Sequence, residues 1–209
     1  MSSVEKMPSD LSEFKTLCET EIKNFGTKNP KIEALIDPNN KRGYDYRAQD
    51  ARFTNNCITF LFLNKSTGDL LTMVTLIYVD QDISNEFSFV RLQDDRLEEV
   101  GLETVATLPV IITGFCQVFT EEVGHKYIFA RWYLGFMERL AKLGLSLLIE
   151  IQGTYSEDEK GNEKSLAGQV HPQSKPVATA VRLLNMEKVE GCYEKNTLGS
   201  VYQRVAQNL

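Results

Sequence analysis

Two kinds of site are missing from this chain. Its four cysteines, Cys18, Cys57, Cys116 and Cys192, lie far apart, and no two form a Cys-x-x-Cys pair. Only two histidines occur, His125 and His171, and neither has the spacing to a second ligand that a zinc site uses. No metal is expected, and the cysteines read as free thiols in a reducing compartment. Basic residues are not in excess either. Against 29 Asp and Glu stand 23 Lys and Arg, a net charge of −6. That balance argues against a generic nucleic-acid or anionic-membrane surface, though it leaves room for a local basic patch. The opening residues MSSVEKMPSDLSEF contain no apolar run of the signal-peptide kind, and no stretch has the length of a membrane span. A cytoplasmic protein is expected. No internal repeat and no dividing linker is visible, so residues 1–209 read as one domain, with 1–9 flexible.

What is present is an ordinary soluble composition, 42% apolar and 25% charged. Ser9 or Asp10 can cap a helix over 11–24, ended by Phe25-Gly26. Asn29-Pro30 opens a second short helix through Ile36, and residues 37–43 form a loop by their turn chemistry. CITFLFL (57–63) and LLTMVTLIYV (70–79) flank Asn64–Asp69 as a strand hairpin. Residues 80–100 are acidic and irregular, with a short helix near 94–100. Residues 102–113 are ambiguous between strand and buried connection, and Pro109 argues against a central strand. A polar loop is expected over 154–173, long enough to carry a function. A helix over 176–186 and strands over 189–193 and 200–205 complete the chain. The fold class is α/β (α+β), a mixed, mostly antiparallel sheet of about six or seven strands flanked by helices.

The chain is organised around residues 114–153. A strand is expected over 114–120, a turn over 121–125 centred on Gly124, a helix over 126–143, and an apolar central strand over 145–151 that runs parallel and adjacent to the first through a right-handed crossover. Phe129, Tyr133, Phe136, Leu140 and Leu143 fall on one side of that helix, opposite Arg131, Glu138, Arg139 and Lys142. Gly144 stops it. A strand–loop–helix–strand unit presents free backbone N–H groups where its helix begins, and such a terminus binds anions, phosphates above all.

This order of elements resembles the GNAT superfamily of N-acyltransferases over residues 10–206. The resemblance implies two neighbouring parallel strands that splay apart, with acyl-coenzyme A in the gap. Its pyrophosphate would sit on a Gln/Arg-x-x-Gly-x-Gly/Ala loop before the central helix. The matching stretch is Glu121-Glu122-Val123-Gly124-His125-Lys126, where Gly124 fits, Glu121 replaces Gln or Arg, and Lys126 replaces the small residue. A family tyrosine, often the general acid, belongs to Ala-x-x-Leu-Tyr-x-x-x-Gly-Phe. In Ala180–Lys188 its place is held by Leu184, and Gly-Phe is missing. The stretch Tyr44-Asp45-Tyr46-Arg47-Ala48-Gln49-Asp50, followed by the hairpin around Gly68, resembles the acyl-homoserine-lactone and long-chain N-acyl amino acid synthases. The implied reaction moves an acyl group from acyl-coenzyme A or acyl carrier protein to a small-molecule amine, with no metal.

The candidate residues follow. Val118 and Thr120 would offer backbone amides to the developing oxyanion. Gly124, His125 and Lys126 would cradle the donor's phosphates, or else form a plain turn with solvated charges. Glu121 and Glu122 would serve as general base if one carboxylate raised the other's pKa, against the plainer reading of a solvated pair. Glu103 is a more distant candidate of the same kind. Tyr202 would be a displaced general acid, or a ring packed on a strand. Cys116 is a weaker candidate nucleophile and His171 a candidate base from the long loop. Trp132 and its aromatic neighbours read as core rather than as a ligand box. The rival to the enzyme is a GNAT-like binding or regulatory module without catalysis, and a third reading is a structural partner in an oligomer.

Overall fold

In a computed structural model, the structure describes residues 6–37, 52–93, 96–113, 116–151, 153–157, 163–170, 175–195 and 202–207. The first helix, α1, spans Leu11–Lys28. Asp10 caps it by accepting the Glu13 N–H at 2.8 Å. Glu13 reaches back to the Ser9 N–H at 2.8 Å and the Ser9 hydroxyl at 2.9 Å, a variant of the capping box. The helix runs past the expected stop at Phe25-Gly26, because Phe25 continues the buried stripe of Phe14, Cys18 and Ile22. It ends at Asn29, whose backbone and side-chain amides both donate to the Phe25 carbonyl. Residues 6–9, expected to be loose, are tied down. Pro8 is buried, and Lys6 pairs with Glu13 at 3.3 Å.

The expected short helix over 30–36 is instead strand β1, Ile32–Ile36. It lies along β2, Cys57–Asn64, which would otherwise be an open edge. β2 and β3, Leu70–Val79, form the expected hairpin, with Gly68 in the left-handed region its turn requires (φ 76°). Both strands read as unbroken apolar runs because both faces are covered. Ile58, Phe60, Phe62, Val74, Leu76 and Tyr78 face the helices. Cys57, Ile77 and Val79 face the other layer, with Phe53, Phe87, Phe89 and Leu102.

Residues 88–101, read as irregular with a helix near 94–100, contain strands β4, Ser88–Gln93, and β5, Arg96–Gly101, paired with each other. Glu98 and Glu99 of β5 suit its place at the end of the sheet. Within 102–113, strand β6 occupies Val110–Thr113. Pro109 lies just outside it, so a fully central strand coexists with the proline. Beyond it come β7, Cys116–Val118, helix α2, Val123–Lys142, and β8, Ser146–Ile151. The expected polar loop over 154–173 contains a hairpin of its own, β9, Gly153–Glu157, and β10, Glu163–Val170. Helix α3, Lys175–Leu183, and strands β11, Glu187–Lys195, and β12, Tyr202–Gln207, follow.

The main sheet has ten strands rather than six or seven, in the order β1-β2-β3-β6-β8-β12-β11-β4-β5, with β7 also paired to β3. Among the described residues every pairing is antiparallel except β6 with β8. Helices α1, α2 and α3 cover one face, and two single 3-10 turns, Ser84–Glu86 and Leu102–Thr104, belong to the cover of the other. The architecture is the expected mixed α/β class.

Helix α2 buries Phe129, Trp132, Tyr133, Phe136, Met137 and Leu140. Gly144, at φ 95°, follows it in the left-handed conformation of a helix stop. Two consequences can be measured. Hydrogen bonds from Ser9, its backbone first, hold the Glu13 carboxyl below its ordinary value of 4.5. A depressed carboxyl stabilises the fold above its unfolded pKa and loses that effect as pH falls through the folded one. Wild type and Glu13→Gln should therefore differ in stability at neutral pH and converge as pH falls through the lowered Glu13 pKa, as followed by thermal melts. Second, a Cβ added at the exposed, mid-helical Gly135 meets nothing within 4 Å. Gly135→Ala should stabilise the protein by about 0.5–1 kcal/mol in urea denaturation.

Candidate functional site

The site begins where two parallel strands part. β6 and β8 pair from Val110 opposite Ser146 to Thr113 opposite Ile149. Past that point the chain of β6 continues as β7 and stays with β3, while β8 continues beside β12 through Ile151 opposite Arg204. The parallel neighbour of β8 is thus 110–113, not the expected 114–120, and the segment after it diverges from β8. Ile112 lies opposite Ile77 and Cys116 opposite Val74. The partner strand therefore has one residue more than β3 over the same span, the irregularity that re-aims a strand.

Hydrogen-bond direction sorts the expected amide donors. Phe119 donates its N–H to the Leu71 carbonyl at 2.9 Å, and Thr120 donates to the same oxygen at 3.2 Å. The Thr120 amide is already engaged and does not face the gap. Bonded and unbonded pairs alternate in an antiparallel ladder. With Leu71 and Phe119 a bonded pair, Thr72 with Val118 and Val74 with Cys116 are unbonded ones. The N–H groups of Val118 and Cys116 therefore point away from β3, to the side that β8 has left. Thr113 ends β6 at the vertex. Its side chain is 1% exposed, and its hydroxyl has no hydrogen-bond partner among the described residues.

Helix α2 starts directly after β7. Its first turn corrects the expected loop: Gly124 is the second residue of the helix rather than the centre of a turn, and its φ is not positive. The turn is Phe119–Glu122, held by the Thr120 hydroxyl, which accepts the Glu122 N–H at 3.2 Å. The first α-helical bond runs from the Lys126 N–H to the Glu122 carbonyl. The amides of Val123, Gly124 and His125 therefore have no acceptor within the helix. No side chain caps them.

The four charged candidates form two pairs around this terminus. Lys126 Nζ lies 3.1 Å from Glu121, whose side chain is 96% exposed. His125 Nδ1 lies 3.1 Å from Glu122 Oε2 and 3.4 Å from the Thr120 hydroxyl. A carboxylate only accepts, so Nδ1 carries the hydrogen, and in a neutral ring Nε2 is the lone-pair nitrogen. Glu121 and Glu122 do not face each other as a carboxylate pair; Glu121 is drawn to the Lys126 ammonium and Glu122 to the His125 ring nitrogen. The expected reading of one acid raising the other's pKa has no geometric support.

The remaining candidates are scattered. Tyr202 opens β12 opposite Lys195, and its side chain lies outside what is described, as do those of Cys116 and Val118. His171 and the stretch 44–50 also lie outside the described residues. Leu184 follows the end of α3. Glu103 accepts the Ser84 hydroxyl at 2.7 Å, a bond that holds its carboxyl below 4.5, and it belongs to the 3-10 turn on the opposite face. Cys18 and Cys57 are buried thiols outside any disulfide, and burial raises the Cys18 thiol well above 9.0, so Cys18 is chemically quiet. Among the described residues no group of three His, Cys, Asp or Glu is placed to hold a metal, and no helix is long and apolar enough to cross a membrane.

Thr120 was expected to act through its amide; its hydroxyl is what the site uses. Thr120→Val should destabilise by about 1 kcal/mol by stranding the Glu122 N–H, with Thr120→Ser close to neutral, in denaturant titrations.

No protein-family model and no curated protein matches the chain. Among solved structures it is similar to arginine/ornithine succinyltransferase subunit AI from Pseudomonas aeruginosa. That match covers 96% of this chain and 68% of the other, at 13% identity and a TM-score of 0.43. It is also similar to the ribosomal-protein-S5-alanine acetyltransferase from Vibrio fischeri, over 86% of this chain and 93% of that one, at 10% identity and a TM-score of 0.42. At this degree of similarity the functional reading rests on the chain's own geometry.

Proposed function

We propose that this chain is an acyltransferase that moves an acyl group from a thioester, acyl-coenzyme A or acyl carrier protein, to a small-molecule amine. One observation carries the reading: β6 and β8 part, and an uncapped helix terminus follows directly on the diverging strand. The gap gives an extended thioester a channel bordered by backbone. The amides of Val123, Gly124 and His125 take its phosphates, because a helix terminus offers both N–H donors and a positive dipole end. The Val118 N–H, turned toward the gap, takes the thioester carbonyl oxygen as negative charge grows on it.

In the reaction the amine nitrogen attacks the thioester carbonyl carbon, the C–S bond breaks, and the thiol leaves. The amine's proton must pass to a base. Among the described residues Glu122 is the better placed of the two carboxylates, since His125 holds it and its side chain is 73% exposed against 96% for Glu121. Tyr202 remains the candidate to protonate the leaving thiolate. No covalent intermediate on the protein is required.

The two acids tune donor binding. The Glu121–Lys126 pair is a surface pair worth at most about 1 kcal/mol, so an incoming phosphate can replace Glu121 at little cost. A phosphate held by Lys126 gains a charge-assisted bond of about 1.5–3 kcal/mol. The non-catalytic module is favoured by a different observation: Leu184 stands where the resemblance implies a tyrosine, and it lies beyond the end of α3.

Isothermal titration with coenzyme A, and separately with acyl carrier protein, distinguishes the readings. Lys126→Ala should weaken donor binding by roughly one to two decades. Glu121→Gln should strengthen it, because it removes a competing anion and releases Lys126. Added salt should weaken the wild type more than Lys126→Ala. Binding that is indifferent to both substitutions would take the helix terminus out of the site. A folded protein that binds neither donor would turn the conclusion to the non-catalytic module.

A further inference from the structure

Apart from the strand gap, a groove of about 580 Å³ lies between α1 and α2. Two rows of side chains border it. On α2 the row is Tyr127, Arg131, Gly135 and Arg139, four residues apart and so along one line of the helix. It is about 18 Å long at 1.5 Å per residue. On α1 the facing row is Glu21, Phe25 and Lys28. Phe25, Ile128, Trp132 and Phe136 make the floor, with the Trp132 and Phe136 rings stacked at 5.8 Å.

The two ends of the groove differ. At one end Glu21 accepts from Trp132 Nε1 at 3.0 Å and from Arg139 at 2.5 Å, with both charged side chains mostly buried. That wall is rigid and electrically closed. At the other end Lys28 and Arg131 are exposed and make no ion pair among the described residues. Two uncompensated cations on one aromatic groove are notable in a chain of net charge −6. Tyr127, beside Arg131 along the row, keeps 66% of its surface in water. Gly135 supplies an independent observation. A glycine inside a helix weakens it relative to alanine, and here no neighbour within 4 Å demands one. What its missing side chain does is leave the groove open at mid-length.

We propose that this groove is a binding site for a small aromatic anion, whose ring lies on the aromatic floor over Gly135 and whose charged head is held by Lys28 and Arg131. The volume falls in the range of small-molecule sites, and the lining has their character: an apolar floor with a few charged groups at its mouth. A guanidinium also stacks on a flat ring. The site is separate from the helix terminus proposed to take an acyl donor, and it stands whether or not that reading does.

Trp132 is the one tryptophan of the chain, so its fluorescence reports on the groove. The full-length protein is titrated with phenyl phosphate, with benzoate and with neutral benzyl alcohol. A saturable change in Trp132 emission is expected with at least one anion, and the preferred head group identifies a phosphate or a carboxylate ligand. Benzyl alcohol should bind at least tenfold more weakly. Arg131→Glu and Lys28→Glu should each lower anion affinity about tenfold or more. Gly135→Leu should abolish binding. Gly135→Ala should weaken it in a protein no less stable than wild type, which separates a blocked groove from a damaged fold. Coenzyme A binding should be unchanged by Arg131→Glu and Gly135→Ala. The proposal is overturned by no saturable change with either anion, by benzyl alcohol binding as tightly as the anions, or by unchanged affinity in Arg131→Glu or Gly135→Leu.

Discussion

Trp132 is the contact on which the arrangement of helices depends. Its ring lies 4.6 Å from Phe62, 5.4 Å from Phe60, 6.0 Å from Phe25 and 5.8 Å from Phe136. Its N–H donates to Glu21 on α1. One side chain therefore ties α2 to the sheet and to α1 at once. Edge-to-face aromatic contacts add about 0.5–1.5 kcal/mol each beyond the burial of their area, and they fix angle as well as distance. With α2 held at its middle, its first turn is fixed after β7 and its outer row is held across from α1. The uncapped terminus and the groove both follow from that placement.

The second constraint lies in the backbone. A strand cannot follow two diverging neighbours, and the chain 110–118 must choose between β3 and β8. It keeps β3. Leu71 supplies the reason at the far end, since its carbonyl collects two consecutive amides, those of Phe119 and Thr120. Those bonds hold β7 to β3 after β8 has turned to β12, and they leave the amides of Cys116 and Val118 directed outward. A gap between strands exposes unpaired backbone groups, which are costly to leave dry and unsatisfied. The buried hydroxyl of Thr113 at the vertex, without a hydrogen-bond partner among the described residues, adds to that deficit. A ligand with a carbonyl and amides along its length satisfies such groups better than a side chain does, which is the physical case for an extended thioester here.

The legible parts of this fold were those that local pattern decides. The hairpin 57–79 and helix α2 carry apolar or 3.6-residue signals; the hairpin lies where the sequence places it, and α2 does so except that it begins at Val123 rather than at 126. Residues 32–36 did not, because IEALI has no strand signal strong enough to outweigh a helix reading. Its conformation comes from the open edge of β2, a partner 25 residues further on. The hairpin of β4 and β5 was hidden for the opposite reason: charged residues that protect an edge strand look like loop in a linear reading. Pro109 misled by one position, since a proline just before a strand costs no ladder bond. In the candidate site, chain order alone put Lys126 near the start of α2, but it put Gly124 in a turn where the helix has already begun. The pairing of each acid with its own partner was not legible, because four ionisable groups within six residues admit several pairings until the helix turn sets their directions. The α1–α2 groove was illegible altogether. Its rows are about 100 residues apart in sequence, and Trp132 read there only as core.

Electrostatics separates the two places where an anion can meet this chain. At the start of α2 the donors are already answered, the Lys126 ammonium by Glu121 and the His125 ring N–H by Glu122. An anion arriving there exchanges for a carboxylate, so the gain is a difference between two similar terms and depends on the extra amide donors. At the α1–α2 groove, Lys28 and Arg131 have no such answer among the described residues. An anion there meets uncompensated charge at once, and the attraction is limited by screening, over about 8–10 Å at physiological salt. The first arrangement suits a ligand with several anionic groups and a long body, which regains at many points what it loses in displacing Glu121. The second suits a small ligand with one charged head, which has only that head and its flat face to offer. Helix α2 thus presents different selectivity at its end and along its side, from the same few residue types in different company.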